Sequence, residues 1–104
     1  MKSIGIPPAA IEDEASVEMA RIWVAKQGLH CVLNIGTYRD SGFREATAWG
    51  VMLADMARHV SDALLAEGVE TDAAAALDEI RDVMTRELDA PTSGTEGEFR
   101  RTKQ

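Results

Sequence analysis

The segment Leu29-His30-Cys31-Val32-Leu33-Asn34-Ile35 limits what this chain can fold into more than any other. Leu29, Cys31, Leu33 and Ile35 alternate with His30, Val32 and Asn34, the period of two that a half-buried strand requires. A strand is therefore predicted over about residues 29–36, between segments that read as helices. Alone it would leave a row of backbone donors and acceptors unpaired. It needs a partner, either residues 3–6 of an extended, proline-broken N-terminus or the same strand of a second copy.

Before it, Val17, Ala20, Trp23 and Val24 share one face at helical spacing, with Glu18, Arg21 and Lys26 free to point to water. Ser16 or Asp13 can cap this helix and Gly28 can stop it. After the strand, Trp49, Leu53, Met56, Val60 and Ala63 recur at alternating steps of four and three, a helical seam that Gly68 ends. Gly50 inside this seam suggests a close backbone crossing. A third helix follows, capped by Thr71 or Asp72, with Ala73, Leu77, Ile80, Met84 and Leu88 as its apolar stripe. The predicted fold is α+β: three helices (about 16–27, 46–67 and 71–88) with one central strand (29–36), the last two helices forming an antiparallel hairpin packed on a small sheet. Residues 1–91 make one α+β domain, and residues 92–104, polar and glycine-containing, a flexible tail.

Net charge is −7, and all of it resides in residues 1–88, because the stretch 89–104 balances its acids and bases. Such a surface repels phosphate backbones, so neither nucleic acid nor an anionic membrane is an expected partner. No apolar run approaches the roughly 20 residues of a membrane span, and the N-terminal residues have no signal-peptide core. Together with a single cysteine, Cys31, this places the protein in the cytoplasm.

Two constellations could carry chemistry. His30 and Cys31 are adjacent, but successive strand residues face opposite ways, so they cannot converge on one ion unaided. Cys31, on the apolar face, reads as an inert buried thiol. Asp55, Arg58, His59 and Asp62 pair at i+3 and i+4 on one helix, as a base oriented by a carboxylate or, more simply, as a solvated face of weak ion pairs. Trp23 and Trp49 read as core anchors. His30, Asp55, Arg58 and His59 are thus the candidate binding residues, and no catalytic residue, metal ligand or cofactor is assigned.

The runs Ser16-Val17-Glu18-Met19, Arg21-Ile22-Trp23, Gly28-Leu29-His30-Cys31, Ala48-Trp49-Gly50, Leu53-Ala54-Asp55, Ala57-Arg58-His59 and Glu87-Leu88-Asp89-Ala90-Pro91-Thr92-Ser93 resemble a family of small bacterial proteins known as domain of unknown function 5076. The resemblance implies a bacterial cytoplasmic origin and brings no activity or site residue with it. The expected function is a non-catalytic homodimeric interaction or regulatory module with a possible protein partner. The alternatives are a small-molecule or metal sensor using His59, Asp55 and His30, and an enzyme whose site forms at a subunit interface.

Overall fold

A computed structural model describes residues 1–101 of the chain. The elements run α1 (Pro8–Glu12), β1 (Ala20–Ala25), β2 (Gly28–Ile35), α2 (Glu45–Ala66), α3 (Ala73–Asp89) and β3 (Thr95–Arg101). The class is α+β, as expected. The described residues form two compact units: Met1–Ile35 with β3, and Gly36–Gly94.

In the strand unit, β2 occupies the place predicted for it. Its neighbours differ from expectation, and it is the middle of three strands ordered β1-β2-β3. The segment read as a helix over 16–27 is instead β1, antiparallel to β2, with Ala20 opposite Leu33 and Trp23 opposite His30. Helical spacing misled here because Val17, Ala20 and Val24 fit a helix face, whereas the core of the segment, Ile22-Trp23-Val24, is β-branched and aromatic and suits a pleated surface. Pairing with β2 decides between them.

The hairpin turn is Lys26-Gln27, both residues with positive φ (49° and 63°), the primed two-residue geometry that matches strand twist. Asn-Gly usually signals such a turn, so the turn was invisible, and Gly28, read as a helix stop, opens β2. Asp13 and Ser16, read as helix caps, form a turn: Ala15 N donates to Asp13 Oδ1 at 2.9 Å and the Ser16 hydroxyl to the Ala10 carbonyl at 2.8 Å. The Pro7-Pro8 stretch, read as extended, begins the short helix α1, because Pro8 sits in its first turn where a missing N–H costs nothing.

On its other side β2 pairs in parallel with β3, Leu29 opposite Thr95 through Ile35 opposite Arg101. Part of the segment assigned by composition to a flexible tail is thus a strand, and residues 102–104 lie outside the described residues. Gly97 has φ 141°, and a Cβ there would collide with the Cys31 carbonyl. Both edges of β2 are therefore filled from its own chain, so neither residues 3–6 nor a second β2 lies beside it. Ile4 and Ile6 are exposed.

In the helical unit α2 and α3 match the predicted spans within two residues and pack on each other. Gly68 (φ 73°) ends α2 in a Schellman arrangement, with Gly68 N donating to Leu65 O and Val69 N to Leu64 O. Asp72 caps α3 by accepting from Ala75 N at 3.1 Å. The two side chains buried here are small, Ser61 and Ala76. Within the chain no backbone crosses at Gly50, since a Cβ there would meet nothing within 4 Å.

The left-handed Gln27 carries a conformational cost that glycine lacks. Gln27→Gly should raise stability by about 1 kcal/mol in urea or thermal melts; an unchanged or lower melting temperature would contradict the turn.

Candidate functional site

The four candidate residues do not form one site. His30 belongs to the strand unit; Asp55, Arg58 and His59 belong to the helical unit. His30 faces Trp23 across the β1–β2 ladder, while Cys31 faces Ile22, so the two neighbours do point to opposite sides. Trp23, His30, Val32 and Ala25, with Met1, Cys31 and Gly97, line an open depression of about 450 Å³. Its lining is mostly apolar, and His30 is its one titratable side chain besides the Cys31 thiol.

On α2, Arg58 and Asp55 form an exposed ion pair, both side chains about 60% accessible. Pairs of this kind contribute little, roughly 0.3–0.5 kcal/mol, because water and salt screen them. His59 is also exposed and takes no part in that pair. Among the described residues no three His, Cys, Asp or Glu side chains converge as a metal site would require.

The most connected side chain is one that sequence reasoning passed over, Glu45. It is the first residue of α2, and its carboxylate turns back onto the loop that precedes the helix. Oε1 accepts from Gly36 N at 3.1 Å and from the Trp49 indole Nε1 at 3.3 Å, and Oε2 accepts from Tyr38 N at 3.1 Å. Desolvation pushes its pKa up, but the Gly36 and Tyr38 N–H groups, the Trp49 indole and the nearby Arg39 charge together outweigh it and hold the carboxyl below its ordinary 4.5. A carboxylate held as an anion with both oxygens engaged is a poor proton donor or base near neutrality. Glu45 therefore fixes the loop on the helix, and Trp49, expected as a core anchor, is half-buried as part of this clasp. The legible signal was the i, i+4 Glu-Trp pair after Gly36-Thr37-Tyr38, with the acid in the first turn of a helix.

Glu87 plays the matching part at the end of α3. The Thr92 hydroxyl (2.7 Å) and N–H (3.1 Å) both donate to its Oε1, and Thr92 is the main cause of its lowered pKa.

Such a molecule is a small α+β protein in which Glu45 and Glu87 join its own helices to adjoining segments. It belongs to the family Domain of unknown function (DUF5076), which it matches over residues 3–92. It is also similar to a solved structure from the photosynthetic bacterium Rhodopseudomonas palustrus CGA009, described as a "putative pyruvate dehydrogenase", with 26% identity and a TM-score of 0.64 over 100% of this chain and 95% of that one. No curated protein matches the chain significantly. No helix among the described residues is long and apolar enough to cross a membrane.

The lowered pKa of Glu45 gives a signed test. Its ionised form stabilises the fold above pH 4.5, and this contribution disappears as the pH falls from there through the depressed value. Glu45→Gln should therefore lower the melting temperature at neutral pH, and the gap to the parent should close as the pH falls below 4.5. A gap independent of pH would contradict the clasp.

Proposed function

We propose that the protein is a non-catalytic, homodimeric interaction or regulatory module, its apolar surfaces completed by a second copy of the chain. The observation that carries this reading is the exposure of its large apolar side chains. Leu53, Met56 and Val60 on α2 are 46–50% exposed and Val83 and Met84 on α3 are 40–42% exposed, while among the described residues the buried side chains are only Ser61 and Ala76. Between Trp49 and Leu64, the uncharged residues of α2 other than Val51 and Ala54 span about half the helix circumference at 100° per residue. Small Ser61 lies at one flank of that arc, and Leu53, Met56 and Val60 lie toward its middle.

A pair of helices with so little covered surface lacks the burial that makes helices stable in water. Contiguous exposed apolar surface of this kind marks a binding face. Over the same stretch the charged side chains, Asp55, Arg58 and Asp62, lie on the opposite side, which supports association through the uncharged arc. The sheet adds Ile22, Val24 and Leu29, also exposed. The net charge of −7 supports a protein partner over a polyanion. The free Cys31 supports a reducing compartment, the cytoplasm.

The name of the Rhodopseudomonas structure suggests 2-oxoacid chemistry. We carry over its architecture alone, because the titratable groups with shifted pKa values, Glu45 and Glu87, are both committed to backbone and side-chain donors of this chain.

Met56→Glu tests the reading. A charge placed in the arc should raise the dimer dissociation constant at least about tenfold in sedimentation equilibrium, whereas Asp62→Ala on the charged side should leave it within about twofold. Equal effects, or none, would contradict it.

A further inference from the structure

We infer that two copies join edge to edge through β1, antiparallel about a twofold axis at Ile22, making one continuous six-stranded sheet. The inference rests on the homodimer reading above and gives the dimer a contact, the sheet edge, in addition to the α2 arc.

The backbone of β1 has two sides. Asn34 N donates to Met19 O at 2.9 Å, so the Met19–Asn34 pair is hydrogen-bonded. By the alternation of an antiparallel ladder, Arg21, Trp23 and Ala25 then direct their N–H and C=O groups to β2. Ala20, Ile22 and Val24 direct theirs outward, where β1 is the edge of the sheet.

An axis at Ile22 sets Ile22 opposite the partner's Ile22, and Ala20 opposite the partner's Val24. Every outward residue then meets another outward residue, and all six of their N–H and C=O groups are used. Shifting the register by two residues leaves at least one of the three without an outward-facing mate. Side chains agree with this register. Arg21, whose guanidinium donates to both Glu18 carboxylate oxygens of its own chain at 3.0 Å, falls opposite the partner's Trp23, where its planar head meets an aromatic side chain. Glu18 and Lys26, at the two ends of β1, are brought opposite one another's counterparts, so charges of opposite sign meet at both ends.

The rest of the edge supports the choice. β1 holds one charged residue, Arg21, and no proline, so it lacks the devices that keep edges from pairing. The other outer strand, β3, reads Thr-Glu-Gly-Glu-Phe-Arg-Arg and has four charges in seven residues. Val24 is 83% exposed and Ile22 49%. With Cys31, Leu33 and Ile35 they lie on the apolar face of the sheet, which the axis would continue without a break into the second copy.

Disulfide trapping tests this on the full chain with Cys31→Ser as background, because Cys31 lies opposite Ile22 within the chain and would otherwise capture a new thiol. In a hydrogen-bonded pair the Cα atoms are about 5.5 Å apart, within disulfide range. Ile22→Cys should give a covalent dimer on mild oxidation, and so should Ala20→Cys combined with Val24→Cys. Val24→Cys alone should not, because four residues of slide separate it from its symmetry mate by about 14 Å. Circular dichroism of each variant before oxidation should match that of the parent. A dimer by light scattering in which Ile22→Cys does not cross-link, or Val24→Cys cross-links as fast, would overturn the β1 interface and leave the homodimer reading standing. A parent protein that is monomeric would overturn both.

Discussion

A strand offers hydrogen-bonding groups along both edges, and β2 satisfies them with segments from either end of its chain: β1 through a two-residue turn, and β3 from beyond the helices. That demand organises the strand unit. It recruits Ile22-Trp23-Val24 into a ladder although their surroundings would also suit a helix, and it holds Lys26 and Gln27 in left-handed conformations that neither prefers. It also requires glycine at position 97, where any Cβ would strike the backbone of Cys31. Closing both edges of β2 moves the open edges outward to β1 and β3.

The helical unit shows the same incompleteness in side chains. Its polar joints are finished: Glu45 fastens the preceding loop, Asp72 caps α3 and Glu87 holds Thr92. Its apolar surface is not, since Leu53, Met56 and Val60 remain about half exposed while the side chains buried in this unit are small, Ser61 and Ala76. Hydrogen bonds confer geometry here, whereas on the proposed reading the driving force of burial comes from a second chain.

Periodicity made much of this legible. The alternation around Cys31 located β2, and the four-three seam and Asp72 located α2 and α3, because long regular patterns dominate local preferences. The hairpin was not legible: a Lys-Gln turn carries no local signal, and a six-residue strand whose apolar residues also fit a helix face is ambiguous until its partner is known. β3 was hidden for a similar reason, its pairing being with residues distant in sequence while its composition is that of a tail. Among candidate residues, Asp55 and Arg58 were correctly placed on one exposed helix face, and His30 stands in the other unit. Glu45 was missed because a lone acid before a helix reads as a favourable first-turn charge, and its role depends on where the backbone of Gly36 and Tyr38 comes to lie.

The central claim, that this chain is completed by a second copy of itself, is tested most directly by its mass in solution. Light scattering across a concentration series should give twice the 11.3 kDa of the chain at micromolar concentrations, with a melting temperature that rises with concentration, as expected when folding and association are coupled. A mass of 11.3 kDa at every concentration, with a sharp melt that does not depend on it, would contradict the account.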